Sequence, residues 1–194
     1  MATATRKKTA AGKTAAGKST ARKTTARKST ASKAAGRKPA ARKTSSRAAP
    51  GDAVAMLKAD HKKVSALFDQ FEKTRSPARK KEIVATICRE LTVHTALEEE
   101  IFYPEVKAAM KDKELVPEAK VEHASVKDLI AQVEGREPDG EDYDAKVKVM
   151  GEFVKHHVKE EQNEMFPKAQ KTRLDFVALG ERMAQRKQEL MAST

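Results

Sequence analysis

A single cysteine, Cys88, leaves this 194-residue chain with neither a disulfide framework nor a thiolate cluster to hold a metal. Without a partner thiol or a histidine beside it in sequence, Cys88 reads as a small buried hydrophobe. No apolar run reaches the length of about eighteen residues that a membrane-spanning helix requires. The N-terminus lacks the apolar stretch of a secretory signal, so a cytoplasmic location is the expectation. Nowhere does the chain show the strict alternation of an amphipathic strand. Acidic side chains are missing altogether from residues 1–50.

That last absence divides the chain. The net charge of +12 combines fifteen Lys and Arg in residues 1–50 with a remainder in which 25 basic face 28 acidic side chains, a net of −3. Residues 1–50 repeat phrases such as Ala26-Arg27-Lys28-Ser29-Thr30, and apart from Met1 their only apolar side chains are alanines. With nothing large to bury, such a segment does not offset the entropy of ordering and is expected to be disordered. Its basic pairs Arg22-Lys23, Arg27-Lys28, Arg37-Lys38 and Arg42-Lys43 are candidate phosphate contacts to DNA or RNA, sequence-independent and sensitive to salt. No aromatic interleaves them, so base stacking is not offered. In composition the segment resembles histone tails and the basic tails of some nucleoid proteins, which would place the protein at the nucleoid. The plainer reading is a solubilising or targeting extension.

The acidic remainder is organised around one phrase that occurs twice. His94-Thr95-Ala96-Leu97-Glu98 runs on to Phe102-Tyr103-Pro104, and His157-Val158-Lys159-Glu160-Glu161 runs on to Phe166-Pro167. Each has a glutamate four residues after its histidine and a proline ten after it. On a helix, the spacing of four stacks His and Glu on one face.

Apolar periodicity places these phrases on helices. A first helix is predicted from Asp52, as N-cap, to Lys73, with the stripe Leu57, His61, Val64, Phe68 and Phe71. Ser76 and Pro77 open a second, carrying Ile83, Ile87, Leu91, His94, Glu98 and Ile101, with Pro104 as a kink. A third begins near Val116-Pro117, ends by Gly135 and carries Ala119, His123, Val126, Ile130 and Val133. A fourth covers Asp142–Pro167, with Val147, Met150, Val154, His157 and Glu161 inward. His61 to His94 is thirty-three residues and His123 to His157 thirty-four, and the acids Asp60 and Glu122 precede the first and third of these histidines. The fold expected is therefore all-α, an up-and-down four-helix bundle built from a duplicated helical hairpin. A C-terminal amphipathic helix, about Thr172–Met191 with Leu174, Val177, Leu179 and Met183, is added to it. The domains expected are the arm at 1–50, the bundle at 51–169 and the C-terminal helix at 170–194.

Four inward histidines and two inward glutamates at one level suit a pair of first-row transition metals, with the carboxylates able to bridge. His61, His94, Glu98, His123, His157 and Glu161 are the candidate ligands, and iron is favoured over manganese or zinc if dioxygen is involved. His156 points about 100° away from His157 and reads as a surface or helix contact. The alternative, that the last helix uses His156 with Glu160 or spans His156 to Glu161, is disfavoured by the alignment of both phrases on Pro104 and Pro167. Glu99, Glu100 and Glu160 read as solvated acids or partners of the ligands. Tyr103 reads as packing at the core or rim, with a redox role as the alternative.

From about Asp52 to Ala169, the chain resembles the hemerythrin-like, or HHE cation-binding, domain. The resemblance is carried by Asp60-His61, His94-x-x-x-Glu98 with Phe102-Tyr103-Pro104, Glu122-His123, and His157-x-x-x-Glu161 with Phe166-Pro167. It implies a four-helix bundle with a bridged non-haem di-iron centre that binds dioxygen, senses oxygen or iron, or handles peroxide and nitric oxide. Oxygen-carrying relatives have a second histidine where this chain has Lys127, which points toward sensing, storage or redox protection rather than carriage. A di-iron oxidoreductase (a ferroxidase, or a scavenger of peroxide or nitric oxide) and a DNA-associated protein with a metal-binding head are the competing expectations.

Overall fold

The computed structural model describes residues 51–193. The basic arm and its candidate contacts Arg22, Lys23, Arg27, Lys28, Arg37, Lys38, Arg42 and Lys43 lie outside the described residues.

Local sequence opens each helix in a recognisable way. Asp52 caps α1 (Ala53–Lys73), accepting the Ala55 N–H at 2.7 Å. Ser76 caps α2 (Pro77–Leu97) by accepting the Arg79 N–H at 3.4 Å, and Pro77 sits in the first turn, where its missing N–H costs nothing. The second hairpin is made of α4 (Leu115–Val133) and α5 (Glu141–Glu160).

Beyond α2 and α5 the helices do not simply kink at their prolines. Each widens into a five-residue π-helical segment, π1 (Glu98–Phe102) and π2 (Glu161–Met165), and then resumes as α3 (Tyr103–Ala109) and α6 (Phe166–Ala169). Tyr103 N–H donates to the Glu98 carbonyl and Phe166 N–H to that of Glu161, five residues back in each case. Pro104 and Pro167 follow at once and carry no N–H, so the wide turn falls where the chain loses a donor.

The last helix, α7 (Phe176–Ser193), begins after Asp175 rather than near Thr172. Asp175 Oδ1 accepts from the N–H groups of Val177 and Ala178, each at 3.1 Å, which sets the start. Leu179, Gly180 and Met183 are its buried residues, whereas Val177, expected on that face, is 49% exposed. The helix lies on α1 and α2. A Cβ at Gly180 would stand 2.4 Å from the Gly51 carbonyl oxygen, so only glycine permits this approach. The cover explains why α2 buries Val93 and Leu97 in addition to its inward stripe.

The apolar core falls into two clusters. One joins Leu57, Leu97, Phe102, Met165, Phe166 and Met183, and the other joins Val64, Leu91, Val126, Ile130, Met150 and Val154. On α1, α2 and α4 the histidine stands between a residue of one cluster and a residue of the other, Leu57–His61–Val64, Leu91–His94–Leu97 and Ala119–His123–Val126. His157 of α5 follows Val154 of one cluster and precedes Met165 of the other, in π2. A polar layer thus interrupts the bundle at one level. No helix among the described residues is long and apolar enough to cross a membrane. Cys88 is fully buried, and burial pushes its thiol up to about 12, as befits an inert core residue.

Candidate metal centre

The six residues singled out by the repeat come together in that layer. His61 Nε2 and His94 Nε2 are 3.1 Å apart, and His123 Nε2 and His157 Nε2 are 3.2 Å apart. Each hairpin therefore contributes one imidazole pair, and the two glutamates lie between the pairs. Glu98 Oε2 is 3.3 Å from His94 Nε2 and 3.3 Å from His123 Nε2. Glu161 Oε2 is 3.2 Å from His61 Nε2 and 3.6 Å from His157 Nε2. Both carboxylates span the pairs, and the donor atoms sort into His61, His94, Glu98 and Glu161 on one side and Glu98, His123 and His157 on the other.

The donor set suits a cation. Glu98 and Glu161 are buried with no Lys or Arg against them among the described residues, and Glu98 Oε1 and Glu161 Oε2 lack any hydrogen-bond partner. Facing imidazole nitrogens 3.1–3.2 Å apart place like donors against like. Buried groups of this kind cost several kcal/mol unless something of opposite charge satisfies them, on the order of 1–3 kcal/mol for each unmade hydrogen bond. Burial, then the neighbouring Glu161 charge, raises the Glu98 carboxyl well above its ordinary range. Burial acts the same way on Glu161, but the adjacent His61 imidazole and the charge of His157 outweigh it and hold that carboxyl at about 2. Burial and the charge of His157 depress His123 to about 4, and burial likewise lowers His61, so both are neutral and able to ligate near pH 7.

Three of the four imidazoles have a hydrogen-bond partner for their other nitrogen, whereas His94 Nδ1 has none among the described residues. Glu99 Oε1 accepts from His123 Nδ1 at 2.9 Å, and Glu122 Oε2 from His157 Nδ1 at 2.8 Å. Burial lowers His157, but the hydrogen bond it donates to Glu122 and the nearby carboxylate charges more than reverse this, and the net shift is upward. Asp60 Oδ2 lies 3.7 Å from His94 Nδ1, and the Gln162 side-chain amide lies 3.2 Å from His61 Nδ1. Glu99 and Glu122, as acceptors, fix the tautomer of His123 and His157 that leaves Nε2 unprotonated and inward. The four groups follow the duplication: Asp60 and Glu122 precede the α1 and α4 histidines, and Glu99 and Gln162 follow the two inward glutamates. The matching acids before His61 and His123 were the available signal for one pair; Gln162 carried no comparable signal. Lys127 is an outer partner, its Nζ 2.7 Å from Glu99. Glu100 lies at the surface on Arg186, and Glu160 beside His156.

Tyr103 belongs to the site rather than to its rim. At about 100° per residue, an α-helical register would turn position five roughly 140° away from Glu98. The π segment closes that gap, so Tyr103 is fully buried with Oη 3.1 Å from Glu161, 3.4 Å from Glu98 and 3.3 Å from His123 Nε2. Phe166, its counterpart after π2, stacks on His61 with ring centres 5.9 Å apart.

Beside the histidines is a small cavity of about 20 Å³, walled by Val64, Leu91, Val126, Val154 and Val158. That is room for one water or a diatomic molecule. A larger groove of about 310 Å³ between α1 and α5 shares His61, Val154 and Val158 with it.

Residues 52–169 match the family model described as the hemerythrin HHE cation-binding domain. The fold is similar to the crystal structure of a hemerythrin HHE cation-binding domain-containing protein of Mycobacterium kansasii, with a TM-score of 0.63 and 23% identity, over 73% of this chain and 88% of that one. A DNA nickase of Nostoc sp. is 27% identical over 111 residues, 57% of this chain and 31% of the relative. The chain therefore spans about a third of that protein's length.

Proposed function

The chain belongs to the hemerythrin HHE cation-binding family, and from that premise we propose that its bundle holds two iron ions. His61 and His94 would ligate one and His123 and His157 the other, with Glu98 and Glu161 shared between them. The observation that carries this reading is the position of those two buried carboxylates, each within 3.6 Å of an imidazole nitrogen from both hairpins. Iron is preferred to manganese or zinc because the small apolar cavity suits dioxygen, peroxide or nitric oxide as a further ligand. When bound, iron would supply redox chemistry and an exchangeable coordination position.

The chain's own residues divide the remaining work. Glu99 and Glu122 hold His123 and His157 in the ligating orientation, and the Gln162 amide contacts His61. Val64, Leu91, Val126 and Val154 keep bulk water from the cavity. Tyr103 keeps its proton, because burial and the charges of Glu98 and Glu161 raise its hydroxyl well above the ordinary value. It donates from Oη to Glu161 Oε1 and so orients that carboxylate in the layer.

The protein's role is then oxygen or iron sensing, storage or redox protection. Turnover as a ferroxidase, or against peroxide or nitric oxide, is the enzymatic alternative at the same residues. The test is the absorption spectrum of iron-loaded protein under air, followed by addition of peroxide or nitric oxide. Stoichiometric spectral change without sustained consumption supports binding; many turnovers per chain supports the enzyme. No change with any ligand rejects both.

A second reading is contact with DNA through residues 1–50. It rests on fifteen basic and no acidic residues there, and on a relative that is a DNA nickase. Gel shifts of the full chain and of a form starting at Gly51, at 50 and 200 mM salt, test it. The full chain should bind without sequence preference and weaken steeply with salt, by orders of magnitude if about six phosphates are contacted. Equal binding by both forms rejects the arm as the contact.

A further inference from the structure

His156 and Glu160 repeat, one residue out of phase, the spacing of four that joins His157 to Glu161. That offset turns them about 100° from the inner layer, toward solvent. There they meet Glu122 of α4: His156 Nε2 is 3.2 Å from Glu160 Oε1 and 3.5 Å from Glu122 Oε1. Glu122 is divided between two tasks, since its Oε2 accepts from His157 Nδ1 at 2.8 Å while Oε1 faces His156. The three side chains border an open depression of about 420 Å³ that Pro117, Glu118 and Val121 complete. Among the described residues, no Lys or Arg pairs with Glu118, Glu122 or Glu160.

The first hairpin shows what the second does without. Asp60, which occupies the place behind His94 that Glu122 occupies behind His157, at 3.7 Å rather than 2.8 Å, is held by the ammonium group of Lys187 from α7. The positions matching His156 and Glu160 are Val93 and Leu97, both buried. One outer carboxylate thus has a built-in cation, and its counterpart has a histidine and a second carboxylate open to solvent.

We propose that Glu122, His156 and Glu160 form a surface site for one divalent first-row transition cation, which neutralises Glu122 as Lys187 neutralises Asp60. One imidazole and two carboxylates give the mixed nitrogen and oxygen donor set such ions prefer, and solvent fills the other positions. Through Glu122 the site adjoins His157, so an ion here lies one carboxylate away from the inner centre.

Mn(II) is the probe, titrated at pH 7 into the full-length protein after its inner metal has been loaded and excess removed. Loss of the free Mn(II) resonance signal reads binding. Wild type should take up one Mn(II) beyond the inner complement. His156→Ala should lose that ion, and Glu160→Gln should weaken it by about tenfold or more. Both variants should keep the inner metal and the helical circular dichroism. An unchanged isotherm in His156→Ala, or no uptake by wild type, overturns the proposal. A chain that retains no inner metal at all counts against the proposed function instead; the difference between wild type and His156→Ala then still decides the surface site.

Discussion

The two hairpins agree where the inner layer is concerned and differ everywhere behind it. Both supply two histidines, one fully buried glutamate, a π segment starting at that glutamate and a proline closing it. Behind the layer, the first has Asp60 braced by Lys187, Glu99 paired with Lys127, and Tyr103. The second has Glu122 beside His156, the neutral Gln162, and Phe166. What is duplicated is therefore the pair of facing donor sets. What has diverged is the charge and hydrogen bonding that tune them, and one hairpin is covered by α7 while the other is open.

If the shared layer is one centre, the largest effect should come from breaking a carboxylate common to both halves. Glu98→Ala should reduce metal content from about two ions per chain toward none, because the residue serves both imidazole pairs. Loss of one ion with the other retained would mean that the halves bind separately.

Metal removal should come next. Chelation strands the four imidazoles and two carboxylates without a counter-charge and should lower the thermal midpoint. The stabilisation lost is about 4 kcal/mol when metal had been present at a thousand times its dissociation constant. The midpoint before and after verified removal measures it, and no change would indicate that the layer is satisfied without metal.

Glu98→Gln should act in opposite directions on the two forms. In metal-free protein the folded-state carboxyl is raised, so above its unfolded value of 4.5 the unfolded chain releases a proton that the folded one keeps, and stability falls as pH rises. Glutamine removes that dependence. Metal-free Glu98→Gln should be more stable than wild type at pH 7 by about 1–3 kcal/mol, yet bind metal poorly. Urea unfolding at pH 5 and pH 7 tests this; a variant less stable at both would show that Glu98 is satisfied in the metal-free fold.

Outer differences should give the smallest effects. Lys187→Met removes a partly buried ion pair and should cost about 1–2 kcal/mol near pH 7. Burial raises Asp60, but His94 and Lys187 outweigh it and the net shift is downward, so this contribution is present above pH 3.8 and lost as pH falls through the folded value. Lys127→Ala, at an exposed pair, should cost no more than about 1 kcal/mol. Equal losses for the two would indicate that the α7 brace is an ordinary surface contact.

Much of this was legible from apolar period and repeat spacing alone. Asp52 and Ser76 marked helix starts, and the inward stripes of α4 and α5 read correctly residue by residue. The π segments were hidden because a one-residue shift in hydrogen bonding leaves no hydrophobic signature; only the prolines ten residues after His94 and His157 hinted at them. The position of Tyr103 was lost with them, since under an α-helical register it points away from Glu98. Lys127 stands where oxygen-carrying relatives are expected to have a histidine, and its ion pair with Glu99 was not legible because periodicity does not show which groups a neighbouring element offers. Val177 was misplaced because α7 buries the face of Leu179, Gly180 and Met183, and at about 100° per residue Val177 lies more than roughly 100° from its centre.

The central claim is that six side chains from two hairpins form one dinuclear centre. Elemental analysis of full-length protein, loaded anaerobically with Fe(II) and freed of excess, tests it most directly. About two irons per chain, lost together in Glu161→Ala, is the predicted result. One iron per chain, or two that survive Glu161→Ala, would contradict it.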